Sequence, residues 1–150
     1  MSEQEITVVG LKETLRAFSR LGKEANKSLR ERSKELAQVI ADKAQSAGRS
    51  TDAQSALVAP SVKARSDRVP KIAAGGAKRV GRHGTPTHKI FFGAEFGANR
   101  LRQFKPHTGR EGRWLYPTVR ENIEENAKAF QDILDDVTRE FTKGDAGGVI

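Results

Sequence analysis

The chain has 150 residues, enough for one domain with a modest core. Apolar residues make up 36% and charged residues 31%, and the net charge is +8. The absence of cysteine excludes disulfides, thiolate zinc sites and a cysteine nucleophile. No apolar run approaches the roughly 18 residues of a membrane span. The acidic start, Met1-Ser2-Glu3-Gln4-Glu5, lacks the apolar segment of a signal peptide, so a reducing cytoplasm is the expected place of synthesis and assembly.

Glu5-Ile6-Thr7-Val8-Val9-Gly10 is β-branched and ends on glycine, which predicts a short first strand. Leu11, Leu15 and Phe18 recur at helical spacing until Leu21-Gly22 interrupts them. A long helix is predicted over residues 23–47. Its narrow stripe is Ala25, Leu29, Leu36, Ile40, Ala44 and Ala47, with Ser33 filling one step. Residues 52–59 predict a short helix ended by Pro60. Residues 61–65 and 69–74 predict two strands, the second at a sheet edge because it contains Pro70. Residues 75–86 read as a flexible basic loop, and Thr87-His88-Lys89-Ile90-Phe91-Phe92 as another strand. A tight Gly93-Ala94-Glu95-Phe96-Gly97 segment and a basic, aromatic loop at about 98–113 follow.

The last element has the strongest pattern. Val119, Ile123, Ala127, Phe130, Leu134, Val137 and Phe141 step by 4, 4, 3, 4, 3 and 4. This predicts an amphipathic helix over residues 117–141, with Pro117 in its first turn and residues 142–150 as a frayed tail. The resulting class is α+β: a small mixed or antiparallel sheet packed against a long N-terminal helix and a long C-terminal amphipathic helix, in a single domain. Phe91, Phe96, Trp114, Leu115, Val119, Ile123, Phe130, Leu134 and Val137 are the expected core and anchors.

The charge is polarised. Residues 1–62 carry a net +2, residues 63–113 a net +10 and residues 114–150 a net −4. The basic set is Lys78, Arg79, Arg82, His83, Arg100, Arg102, Lys105, Arg110 and Arg113. It fits either phosphate without base readout or an acidic protein surface. Phe104 and Trp114 could serve as stacking platforms for bases, and Trp114 equally as a core anchor. The acidic candidates are the i,i+4 pairs Glu121/Glu125 and Asp132/Asp136, which lie off the apolar stripe and so suit a solvated or ionic face. No Gly-Lys-Ser/Thr follows a glycine run, so no P-loop is present. His83, His88 and His107 match no ligand spacing. No cofactor, metal site or enzymatic acid–base set is expected.

Three segments together carry a resemblance. They are Val8-Val9-Gly10-Leu11-Lys12-Glu13-Thr14-Leu15, then Phe91-Phe92-Gly93-Ala94-Glu95-Phe96-Gly97, then Gln103-Phe104, Thr108-Gly109-Arg110-Glu111-Gly112 and Trp114-Leu115-Tyr116-Pro117. In this order the chain resembles the neck or tail-completion proteins of long-tailed bacteriophages, and its Gly75–Val80 stretch is similar to the versions found in phages of actinobacteria. Many relatives carry Thr-Gly-x-Leu-Arg after the first long helix; here that stretch is Arg49-Ser50-Thr51-Asp52-Ala53-Gln54-Ser55-Ala56-Leu57. The resemblance implies a structural virion protein forming a six-fold ring at the head-to-tail junction. Its implied partners are further copies of itself, other neck proteins, and the tail terminator or tail tube. Genomic DNA would pass through its lumen. The basic set would then make inter-subunit or inter-ring contacts against the acidic faces. The alternative is a basic, non-enzymatic DNA-binding protein of packaging or replication.

Overall fold

A computed structural model describes residues 3–9, 12–100, 103–107 and 109–149. The elements in chain order are β1 (Glu3–Thr7), α1 (Lys12–Ser19), α2 (Lys23–Arg49), α3 (Ala53–Val58), a 3-10 turn (Ala59–Ser61), β2 (Lys63–Arg65) and β3 (Lys71–Gly75). Then come β4 (Arg79–Val80), β5 (Thr85–Pro86), α4 (Thr87–Phe96), α5 (Leu115–Glu121) and α6 (Ile123–Val149). The fold is α+β. Its three-stranded antiparallel sheet, ordered β1-β3-β2, packs against the long helices α2 and α6 at the two ends of the chain. The Gly10-Leu11 start proposed for the first helix lies outside the described residues.

The stripe on α2 explains how the two halves of the core join. Its buried residues are Ala25, Asn26, Leu29, Ser33, Ala37, Ile40, Ala41, Ala44 and Gly48. The first part of this face packs with Phe18, Val69, Phe130, Leu134 and Val137, and the second with the sheet, Phe91, Trp114 and Leu115. Small residues at the C-terminal end let neighbours approach closely. A Cβ on Gly48 would stand 2.9 Å from both the Ala59 Cβ and the Trp114 ring. Ser33 fits the apolar stripe because its hydroxyl donates to the Arg68 carbonyl at 3.0 Å. Asn26 fits because its amide donates to the carbonyls of Phe18 and Gly22, at 2.8 and 2.7 Å, closing the turn between α1 and α2.

Several expectations change here. The strand containing Ile72 is central, not an edge, because Pro70 precedes the first paired residue and takes no part in the ladder. The Pro70 carbonyl is still used, accepting from the Val8 N–H at 3.0 Å. The short helix expected before Pro60 is α3, which ends at Val58; Pro60 then sits early in the 3-10 turn, where a missing N–H is tolerated. Residues 78–86 form the β4–β5 hairpin, turning through Gly81 and Gly84 at φ of +77° and +60°.

Residues 87–92 are not a strand but the first turns of α4. The β-prone Ile90 and Phe91 are overruled by tertiary packing, with Ile90, Phe91, Ala94 and Glu95 forming one buried helical face. The C-terminal helix is two helices, broken at Asn122, whose amide donates to the Thr118 carbonyl at 3.0 Å. The buried line runs from Val119 across the break to Asn126 and on to Phe130, Leu134 and Val137, while α6 begins at Ile123. Ile123 is therefore not core but 48% exposed, and Ala127 is exposed with it. Phe96 is only half-buried, whereas Phe91, Trp114, Leu115, Val119, Phe130, Leu134 and Val137 are buried as expected. Helix α6 continues past Phe141 to Val149 where a frayed tail was expected; extending a formed helix is far easier than nucleating one, even through glycines.

Candidate functional site

Helix α4 is held at both ends. At its start, Thr87 donates twice to the Lys78 carbonyl, from its N–H at 2.8 Å and its hydroxyl at 2.7 Å. The His88 N–H donates to the Gly76 carbonyl at 2.9 Å. These bonds fix the β4–β5 hairpin, with its basic residues, against the helix.

At the other end sits Glu95, fully buried. Its Oε1 accepts the backbone N–H groups of Arg113, Trp114 and Leu115 at 2.7, 2.7 and 3.1 Å. Its Oε2 accepts that of Tyr116 at 2.8 Å. A helix start leaves its first N–H groups without intrahelical partners. Here Glu95 takes those of Leu115 and Tyr116, Pro117 has none, and that of Thr118 reaches the Trp114 carbonyl at 3.1 Å. One distant carboxylate thus caps α5, and Trp114 contributes no side-chain cap. Burial pushes the Glu95 carboxyl above the usual carboxylate range, and the four N–H donors pull against it.

Arg113 braces the same junction. It forms an ion pair with Asp52 at 2.8 Å and donates to the Ala94 carbonyl at 3.3 Å. Asp52 in turn caps α3, accepting the Ser55 N–H at 2.8 Å. Burial alone would raise the Asp52 carboxyl; the Ser55 N–H and Arg113 outweigh it and hold it below the usual range. Arg113, expected on a contact surface, is therefore turned inward, and Trp114 is core with no face free for stacking.

The loop after α4 folds back because Gly97, at φ +80°, admits no side chain; a Cβ there would collide with the Pro106 carbonyl. The Ala98 N–H pairs with the Lys105 carbonyl at 2.8 Å. Phe104 then packs against Gly93, where a Cβ would stand 2.6 Å from its ring.

Two clefts result, one on each side of Lys89 and Phe104, which line both. The first, about 610 Å³, has an aromatic floor of Phe92, Phe96 and Tyr116 and a rim of Lys89, His107 and Arg110. Phe92 stacks on Phe96 with centroids 6.2 Å apart and is 53% exposed. Phe96 meets Tyr116 at 5.4 Å. The second, about 790 Å³, runs between Arg82 and His83 of the hairpin and Gln54 and Leu57 of α3. Among the described residues no acidic side chain lines either cleft.

The fold thus brings Arg82 and His83 to one side of α4 and Arg110 to the other. Lys78, Arg79, Arg100 and Lys105 are exposed outside this lining. Arg79 is engaged by its own turn, donating to the Gly84 carbonyl at 2.7 Å. Arg102 lies outside the described residues. The sequence alone does not single out Lys89 and Phe92 as site residues, because the segment around Phe92 reads as a strand, nor Tyr116, which joins them only through the fold. The i,i+4 pair Gly93 and Gly97 was the available signal that another chain segment approaches closely.

Glu121, Glu125, Asp132 and Asp136 are exposed, joined on the outer side of α5 and α6 by Glu124 and Asp135. Of these six, only Asp136 is in an ion pair among the described residues, at 3.4 Å to Arg139. Among the described residues no three His, Asp or Glu groups could hold a metal, and no helix is long and apolar enough to cross a membrane. The chain matches no protein-family model, no curated protein and no solved structure.

Proposed function

We propose that the chain is a non-enzymatic assembly protein that forms a ring at the head-to-tail junction of a long-tailed bacteriophage. In this reading it links neck proteins to the tail terminator or tail tube in the virion and leaves a channel for DNA. The observation that carries the reading is the separation of charge on one folded chain: a basic, aromatic-floored cleft beside α4 and an acidic outer face on α5 and α6. Such surfaces suit head-to-tail association, which closes into a ring when the rotation allows. Support also comes from the segments behind the resemblance, two of which pack on each other: Glu95 caps the helix of Trp114-Leu115-Tyr116-Pro117, and Phe104 rests on Gly93.

The test is mass spectrometry of virions purified from the genome that encodes this chain. The chain is expected in the virion at the copy number of a ring. Its absence from virions would contradict the reading. A second reading rests on the same cleft, because stacked Phe92 and Phe96 beside Lys89 and Arg110 suit single-stranded nucleic acid. That reading requires oligonucleotide binding that falls steeply with salt.

A further inference from the structure

The cleft beside α4 and the acidic helix match in more than sign. Lys89, Arg110 and Arg82 form no ion pair among the described residues, and neither do Glu121, Glu124 and Glu125. Each surface also carries one of the three large apolar side chains exposed among the described residues. Phe92 is on the cleft floor and Ile123 at the head of the acidic helix. Ile123 and Ala127, one turn apart and both exposed, make a short apolar ridge there. The ridge has apolar surface for the aromatic floor, and its neighbouring carboxylates have charge for the cationic rim.

We propose that the α4 cleft of one copy receives the start of α6 from a second copy. Ile123 seats against Phe92 and Phe96, and Glu124, on the flank of the Ile123–Ala127 ridge, meets Lys89 and Arg110. This rests on the reading that the chain assembles with itself, and names the contact. The contact is heterologous, since the donor's own cleft stays open for the next copy. Exposed charge pairs are screened by salt, so the contact tightens at low ionic strength. The rim would steer approach and fix register while the apolar seat holds the pair together.

The absence of native cysteine makes a direct test available. Phe92→Cys and Ile123→Cys chains are prepared separately, mixed at low salt and oxidised. The expected result is a mixed disulfide dimer that outweighs both symmetric dimers, and a ladder of covalent oligomers from the double variant. Lys89→Glu with Arg110→Glu abolishes the ladder, and adding Glu124→Lys restores it. This restoration separates lost contact from lost folding.

Symmetric dimers in excess, or a ladder indifferent to charge reversal, would overturn the proposal. So would an absence of mixed dimer, including the case where the cleft binds a fluorescent single-stranded oligonucleotide instead. The ring reading fails separately, if purified virions lack the chain. Chains present in virions that give no mixed dimer defeat only this contact.

Discussion

Glu95→Gln is the sharpest test of how the site is built. The amide is isosteric, so it leaves no cavity and changes only the hydrogen bonding. Its oxygen can keep the three donors that Oε1 now serves, from Arg113, Trp114 and Leu115. Its NH2 group then replaces Oε2 and faces the Tyr116 N–H, now bonded at 2.8 Å, donor against donor. Two buried donors lose their partners, each costing about 1–3 kcal/mol. The three retained bonds lose charge assistance, which accounts for roughly half their strength. Removing the buried charge offsets part of this, leaving a net loss of about 2–4 kcal/mol.

At about 2–4 °C per kcal/mol for a chain of this size, the melting temperature falls by about 5–15 °C. The assay is urea denaturation followed by fluorescence of Trp114, the single tryptophan, buried beside the substituted group. The variant also changes the response to pH. The folded Glu95 carboxyl titrates above its unfolded value, so between the two the folded state binds more protons. Wild-type stability therefore falls as pH rises through that window, and Glu95→Gln removes this slope. A variant within about 0.5 kcal/mol of wild type, as for an ordinary surface change, would refute the capping role.

Other predictions follow from neighbouring contacts. Gly48→Ala gains about 1 kcal/mol of helix propensity. It also forces a Cβ to 2.9 Å from both Ala59 and Trp114, an overpacking cost of about 1–3 kcal/mol, so a net loss of up to about 2 kcal/mol is expected in chemical denaturation. Gly93→Ala displaces the Phe104 ring from α4, and limited tryptic proteolysis should then cut after Arg100 faster than in wild type. Asp52→Asn keeps the cap on Ser55 but loses the charge facing Arg113, with an expected loss of about 1 kcal/mol near neutral pH. The folded Asp52 carboxyl titrates below its unfolded value, so its contribution is complete above the unfolded value and disappears as pH falls through the folded one. Denaturation across a pH series should show the variant and wild type converging in acid.

What could be read in the sequence follows from periodicity. Helix α2 and the buried line through Phe130, Leu134 and Val137 are visible because long amphipathic helices repeat one signal many times. Ser33 was placed correctly within its stripe, although its bond to the Arg68 carbonyl depends on a residue 35 positions away. Ile123 shares the spacing of this line yet is 48% exposed, because it is the first residue of α6 after the break at Asn122, and periodicity carries no sign of that break. Helix α4 was missed for a related reason. Its stability comes from Phe104 lying on Gly93 and from the N–H groups that gather around Glu95, contacts between segments with no local trace. The two clefts depend on that helix, so Lys89 and Phe92 could not be assigned to a site without it. The charge polarity was legible as arithmetic, and the fold turns it into two separate surfaces.

The central claim is that these surfaces meet between copies in a ring. Cryo-electron microscopy of virions made by the genome that encodes this chain, at side-chain resolution, tests it most directly. The expected result is a closed ring at the head-to-tail junction, with Phe92 covered by a neighbouring copy and Lys89 and Arg110 facing its carboxylates. A ring whose α4 clefts are all open to solvent, or a junction built without this chain, would contradict it.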